Sequence, residues 1–228
     1  MAQKYSRREA SPVTRVYIFC EGQTEETFVR ELLQPHFGNI GMTVTPILAR
    51  TGKGKGGIVS YGKIRRHIDL LCKQDQRACV TTFMDYYAFP QGKNGLAPLC
   101  DSSDPIQKAL ALTKAFQEDI GHKNFIANLI VHEFEGLLFS QPKAFEQWFD
   151  EDITRKLQTI RNDVPSPEHI NDNKQTAPSK RILQICEGYS KVWHGPLIAL
   201  DIGLDAIRKE CPVFHAWLEK IENLGDSA

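Results

Sequence analysis

The sequence predicts an α/β fold: a doubly wound, mainly parallel sheet with a mostly helical C-terminal extension. Three observations carry that expectation. Between residues 13 and 140, short apolar runs of strand type alternate with longer segments whose apolar residues recur at helical spacing. Three of the strand-type runs stop abruptly on acid, at Glu21, at Asp85, and at Glu133 with Glu135. Beyond residue 140 the strand-type runs give way to helical segments and turns rich in Pro and Asn.

Residues 1–12 are polar and are expected to be flexible. Val13–Cys20 is the first strand, and Gly22 supplies the sharp turn after it. Thr24 reads as a helix N-cap, with Glu25 and Glu26 in the first turn, where the helix dipole favours negative charge. That helix is expected over Glu25–Phe37, with Phe28, Leu32 and Leu33 on one face. Met42–Ala49 is the second strand. A glycine-lysine loop over 51–57 leads into a helix from about Ile58 to Gln74, with Ile64, Ile68 and Leu71 at helical spacing. Cys79–Asp85 is a third, buried strand, followed by a turn-rich loop over Ala88–Asp101. Ser103–Gly121 reads as an amphipathic helix capped by Ser102 or Ser103, and Phe125–His132 as the fourth strand. Further helices are expected over Ala144–Phe149, Asp152–Arg161, Ser179–Cys186, Ile198–Glu210 and Pro212–Leu224, with Pro212 suited to a first helical turn. The division that follows is an α/β core over 13–140 and a helical cap over 141–225 packed on it.

The bulk composition narrows the function classes. With 28 basic and 28 acidic residues the net charge is zero, so any affinity for nucleic acid must come from a local basic patch. No apolar run approaches the ~18 residues of a membrane span, and the polar, basic start lacks the apolar centre of a signal peptide. The six cysteines form no Cys-x-x-Cys pair and several sit in apolar patterns. They read as reduced, buried thiols of a cytoplasmic protein, and cysteine-bound zinc is not expected.

The chemistry is concentrated in the strand-end acids. A carboxylate that closes a buried strand is costly unless something pairs with it. In a parallel sheet these ends share one edge, where ligands of open α/β sheets bind, so Glu21, Asp85, Glu133 and Glu135 can converge. A cluster of carboxylates raises its own proton affinity unless a cation neutralises it, and hard oxygen donors suit Mg²⁺ or Mn²⁺. Glu25 is either a capping acid or a further ligand. Lys53 and Lys55, in the loop at 51–57, either are solvated or join its glycine N–H groups in clamping substrate phosphates. Pro178-Ser179-Lys180-Arg181 opens a helix, so Lys180 and Arg181 are either surface charges or a second phosphate clamp. His132 beside Glu133, and His194 in a tight His-Gly-Pro turn, are candidate proton shuttles or packing residues. Tyr86, Tyr87, Phe89 and Trp193 could stack bases, or serve in the core or rim. No Gly-x-Ser-x-Gly elbow or His-paired cysteine supports nucleophilic catalysis.

Glu-Gly-x-Thr-Glu-Glu after the first strand, with an acidic end to the third, resembles the Toprim (topoisomerase–primase) fold over about residues 13–140. The fuller set is closer to one bacterial family: Glu21-Gly22-x-Thr24-Glu25-Glu26, Asp85-Tyr86-Tyr87, His132-Glu133-Phe134-Glu135 and Pro178-Ser179-Lys180-Arg181. With Ile202-Gly203-Leu204 and Cys211-Pro212 it resembles the family catalogued as domain of unknown function 4276, across most of the chain. The Toprim resemblance implies that Glu21 is the general acid or base and that Asp85 is the first acid of an Asp-x-Asp holding Mg²⁺. The chain departs at the second acid, where Tyr87 stands, so Glu133 or Glu135 must replace that ligand in a standard site. It further implies a phosphodiester substrate in DNA or RNA, and a partner ATPase in mobile or anti-phage loci.

The expected function is therefore a Mg²⁺- or Mn²⁺-dependent nuclease. The alternatives are a non-catalytic module that binds nucleic acid or a partner, and a phosphohydrolase acting on small molecules.

Overall fold

The computed structural model describes residues 13–49, 60–97, 100–170 and 176–225. The expectations for residues 1–12 and for Lys53 and Lys55 lie outside the described residues.

Four parallel strands form one sheet in the order β2-β1-β3-β4: β1 (Thr14–Cys20), β2 (Met42–Leu48), β3 (Cys79–Phe83) and β4 (Phe125–Ile126). β2 lies at an edge, which is why Pro46, lacking an N–H, is tolerated within it. Side chains alternate across β1, so each sheet face builds its own core. Val16, Ile18 and Cys20 pack on one face with Phe28, Ile198, Phe214 and Leu218. Phe19 and Val80 pack on the other with residues of α3 (Tyr61–Gln74) and α4 (Pro105–Ile120), among them Ile64, Ile68, Leu112 and Phe116. The fold is α/β, with helices against both faces of a parallel sheet. Helices of the C-terminal third share the core of the first face: α5 (Glu151–Asn162), α6 (Pro178–Ile185), α7 (Lys191–Ile202), α8 (Leu204–Glu210) and α9 (Pro212–Glu222). Phe83 ties that region to the sheet, stacked on Phe28 at 5.2 Å and on Trp217 at 5.4 Å. Trp217 also donates from Nε1 to Thr81 Oγ1 at 2.9 Å.

Several expected boundaries are corrected. The first helix begins two residues earlier, with Gly22 rather than Thr24 at its N-cap: α1 spans Gln23–Phe28. It runs through a wide π turn at Val29–Leu33 into α2 (Gln34–Asn39). Pro35 lacks an N–H and its ring would strike the carbonyl of Glu31 in a regular helix; the π turn accommodates both. The α4 cap is Asp104, whose carboxylate accepts from Ile106 N at 2.9 Å, rather than Ser102 or Ser103. The helix expected over Ile198–Glu210 is two, broken at Gly203, whose φ of 80° suits glycine. His194-Gly195-Pro196 lies inside α7 and not in a turn.

The fourth strand is shorter than expected. Past Ile126 the chain leaves the regular ladder, and the side chains of Thr82 and Asn128 take over the pairing. Thr82 Oγ1 donates to Asn128 O at 2.5 Å and accepts from Asn128 N at 3.0 Å, while Asn128 Nδ2 donates to Thr82 O at 3.1 Å. Backbone pairing resumes when Ile130 N donates to Met84 O at 2.8 Å and Tyr86 N to Ile130 O at 2.9 Å. This side-chain bridge carries the chain toward Glu133 at the carboxyl edge. Thr82→Val removes the hydroxyl and leaves buried Asn128 groups unsatisfied, an expected loss of about 1–3 kcal/mol. A denaturant midpoint for this variant, with Thr82→Ser as the control that keeps the bond, checks it.

Candidate active site

Glu21 follows β1 directly and lines the wall of a cleft of about 610 Å³ at the carboxyl edge of the sheet. Gly22, Glu25, Asp85 and Lys191 line the same cleft, together with Leu48 and Val192. Gly22 is needed because a Cβ there would sit 3.1 Å from Glu25 Oε2. Its N–H instead donates to that oxygen at 2.9 Å, so Glu25 both caps α1 and faces the cleft. Glu26 points elsewhere and pairs with Arg30 at 2.7 Å, one turn on. Asp85 N donates to Glu21 Oε2 at 3.3 Å, and Asp85 Oδ1 accepts from Phe134 N at 2.8 Å. The two strand ends are thus linked through backbone donors, each holding one carboxylate in place.

Glu133 and Glu135 reach the same neighbourhood but are engaged by the C-terminal helices. Glu133 Oε2 accepts from Ser179 N at 3.1 Å, in the first turn of α6. The helix start expected to hold a substrate phosphate therefore binds one of the chain's own carboxylates. Lys180 is exposed there, and Arg181 Nε donates to Thr176 O at 2.8 Å. Glu135, only 2% exposed, pairs with Lys191 Nζ at 3.1 Å. Lys191 opens α7 and was not anticipated from the sequence. Gly195 lets α7 come close: a Cβ there would lie 3.3 Å from Phe134 Cε1 and 3.4 Å from Thr24 Cγ2.

The electrostatics follow from burial. Burial, then repulsion from Glu25, pushes the Glu21 carboxyl up to about 7, against the pull of Lys191 and the Asp85 N–H. Burial raises Glu25 as well. Asp85 is pushed well above the usual carboxylate range, first by burial and then by Glu25, Glu21, Glu135 and Glu133. Burial also raises Glu135 although Lys191 opposes it. For Lys191 burial favours the neutral amine, but Glu135 and Glu133 outweigh it and the ammonium is strengthened.

The two histidines are placed differently from the cleft residues. His132 is buried with a left-handed backbone (φ 64°) and packs its ring 5.3 Å from that of Tyr87. Tyr87, at the position of the second acid, donates its backbone N–H to His132 O at 3.1 Å. His194 accepts from Ser190 N at 2.8 Å through Nδ1 and stacks on Tyr189 at 5.8 Å, closing the start of α7.

The donor set on the cleft fits a hard divalent cation. Carboxylates of Glu21, Glu25 and Asp85 open on it, and a positive charge would relieve the repulsion and desolvation that raise all three. Among the described residues no group of three or more His, Cys, Asp or Glu side chains closes around one metal position. Mg²⁺ commonly takes one or two carboxylates and completes its shell with waters and substrate phosphates, so such a closed group is not required. No helix among the described residues is long and apolar enough to cross a membrane.

The family described as Domain of unknown function (DUF4276) matches residues 20–222, a span that includes each of these acids and Lys191. No curated protein matches the chain. The C-terminal region of the Burkholderia pseudomallei OLD protein is similar over 93% of this chain and 98% of that one, at 18% identity and a TM-score of 0.46. The C-terminal region of the Xanthomonas campestris pv. campestris OLD protein, phased with mercury, covers 93% and 97% at 15% identity, with a TM-score of 0.38. At those scores the fold rests on the chain's own sheet.

Proposed function

The chain belongs to the DUF4276 family, and we propose that it is a divalent-metal-dependent phosphodiester hydrolase acting on nucleic acid. The observation that carries this reading is the single cleft into which Glu21, Glu25 and Asp85 open beside the ammonium of Lys191. Glu21 and Asp85 would hold Mg²⁺ or Mn²⁺, with Glu25 contributing the oxygen that Gly22 leaves open. When bound, such an ion polarises the phosphodiester and lowers the pKa of a bound water.

The remaining work falls to the chain's own groups. Glu21 closes a rigid strand, and with a carboxyl near 7 it is matched to exchanging a proton at neutral pH. The N–H of Phe134 fixes the Asp85 carboxylate, so its orientation costs nothing at the moment of reaction. Lys191 faces the cleft while Glu135 anchors it from behind, and it is the cation placed to meet a substrate phosphate. This moves the phosphate-binding role from Lys180 and Arg181 to Lys191, and gives Glu133 and Glu135 supporting positions behind the cleft.

The test is incubation of the protein with a panel of single- and double-stranded DNA and RNA in Mg²⁺ or Mn²⁺. Cleavage that stops on chelation is the expected result. Intact polymers, with turnover of a free nucleotide, would reassign the site to small phosphate compounds. Intact polymers with no turnover at all would leave a binding module.

A further inference from the structure

The acidic floor of the cleft is bordered by an apolar lip whose exposure the hydrolytic chemistry does not require. Leu48, ending β2, is 39% exposed, and Val192, in the first turn of α7, is 46% exposed; both line the cleft. Trp193 follows directly and at 73% is exposed far beyond what its size makes comfortable in water. The other two tryptophans are engaged. Trp217 is buried and donates to Thr81, and Trp148 donates from Nε1 to Asp201 Oδ2 at 2.8 Å. Leu48 also borders a second groove, of about 360 Å³, shared with Phe19, His67 and Leu70. The lip therefore lies between two cavities, one charged and one largely apolar.

That layout calls for a ligand of two parts: an anionic part for the side of Lys191, and a flat, apolar part for the lip. A nucleotide has both. We infer that Leu48, Val192 and Trp193 form a stacking platform for an unpaired base of the chain whose phosphodiester occupies the cleft, which makes single-stranded or locally unpaired nucleic acid the preferred substrate. A paired base within a duplex has both faces covered by its neighbours and cannot use such a platform, whereas an unpaired base gains stacking on an aromatic ring whatever its identity. The placement of Lys191 immediately before Val192 puts cation and platform on one helical turn, so one rigid element would position both phosphate and base. The inference rests on the reading that the cleft takes nucleic acid.

Titration of a fluorescent, mixed-sequence single-stranded DNA 12-mer into wild type, Trp193→Ala and Trp193→Phe, in Ca²⁺ to suppress turnover, tests it, with the duplex form as comparison. Trp193→Ala is expected to weaken single-strand binding about tenfold, with Trp193→Phe retaining most of it and duplex affinity unchanged. Part of the tryptophan emission of wild type should be quenched by the oligonucleotide, and this quenching should vanish in Trp193→Phe. Equal single-strand affinity in wild type and Trp193→Ala overturns the platform while leaving the hydrolase reading in place. Tighter binding of the duplex than of the single strand overturns the substrate preference. Failure of wild type to bind or cut any polynucleotide removes both readings together.

Discussion

Glu21→Gln is expected to lower metal-dependent cleavage by at least about a thousandfold while making the metal-free protein more stable above neutral pH. The two effects have one origin. In the folded chain, burial and then Glu25 raise the Glu21 carboxyl to about 7, above its unfolded value near 4.5. Between those limits the folded state binds more protons than the unfolded chain, so stability falls as pH rises from about 4.5 to about 7, and the loss is complete above that. The penalty at pH 8 is at most about 3 kcal/mol. Glutamine keeps the shape, can still accept the Asp85 N–H, and carries no charge to desolvate. Its Tm at pH 8 in chelator should exceed that of wild type by up to roughly 5–10 °C, and the two should converge at pH 5. Mn²⁺ should raise the Tm of wild type and leave the variant unmoved. A variant that is less stable than wild type at pH 8 would mean that the Glu21 charge is already compensated inside the protein, and the cleft would not need a cation.

Lys191→Met is expected to reduce both stability and activity, and a second substitution separates the two. Glu135 is almost fully buried, and Lys191 is the ammonium paired with it. Breaking a buried ion pair costs about 3–5 kcal/mol, but the Lys191 side chain is 42% exposed and solvent shares part of its role, so about 2–3 kcal/mol is expected. Removing the charge on Glu135 as well, in Glu135→Gln/Lys191→Met, should restore most of that stability. Activity should remain about a hundredfold or more below wild type in both variants, because the cation facing the substrate phosphate is absent from both. Recovery of cleavage in the double variant would reduce Lys191 to a structural partner of Glu135. Urea midpoints and single-turnover cleavage rates provide the two readouts.

The half of the site that lies on the sheet was legible in the sequence, because strand periodicity and its abrupt end on acid are local signals. Glu21 and Asp85 follow from that pattern, and a parallel order sends both to one edge. What the helices contribute was not legible. Lys191 stands 170 positions beyond Glu21 in the sequence and reaches the cleft only because α7 packs closely on α1 and Phe134. A glycine within an apolar helical stretch, Gly195, was the available signal of that close approach. Glu133 and Glu135, two residues apart, could not be told from cleft acids, since what distinguishes them is the N–H of Ser179 and the ammonium of Lys191 arriving from elsewhere. Asn128 inside the fourth apolar run was a polar residue needing buried partners, and it marks where the ladder breaks. Pro35 and Gly203 likewise mark the interruptions of two helices that apolar spacing alone had drawn as continuous.

Crystals soaked in Mn²⁺ and measured at the manganese edge address the site most directly. Anomalous density is expected in the cleft, within ~2.0–2.6 Å of a carboxylate oxygen of Glu21 and of Asp85, and is expected to be lost in Glu21→Gln. A cleft without anomalous density, or carboxylates of Glu21 and Asp85 too far apart to share one ion while the protein still cleaves nucleic acid, would contradict the assignment of these two residues as the metal-holding pair.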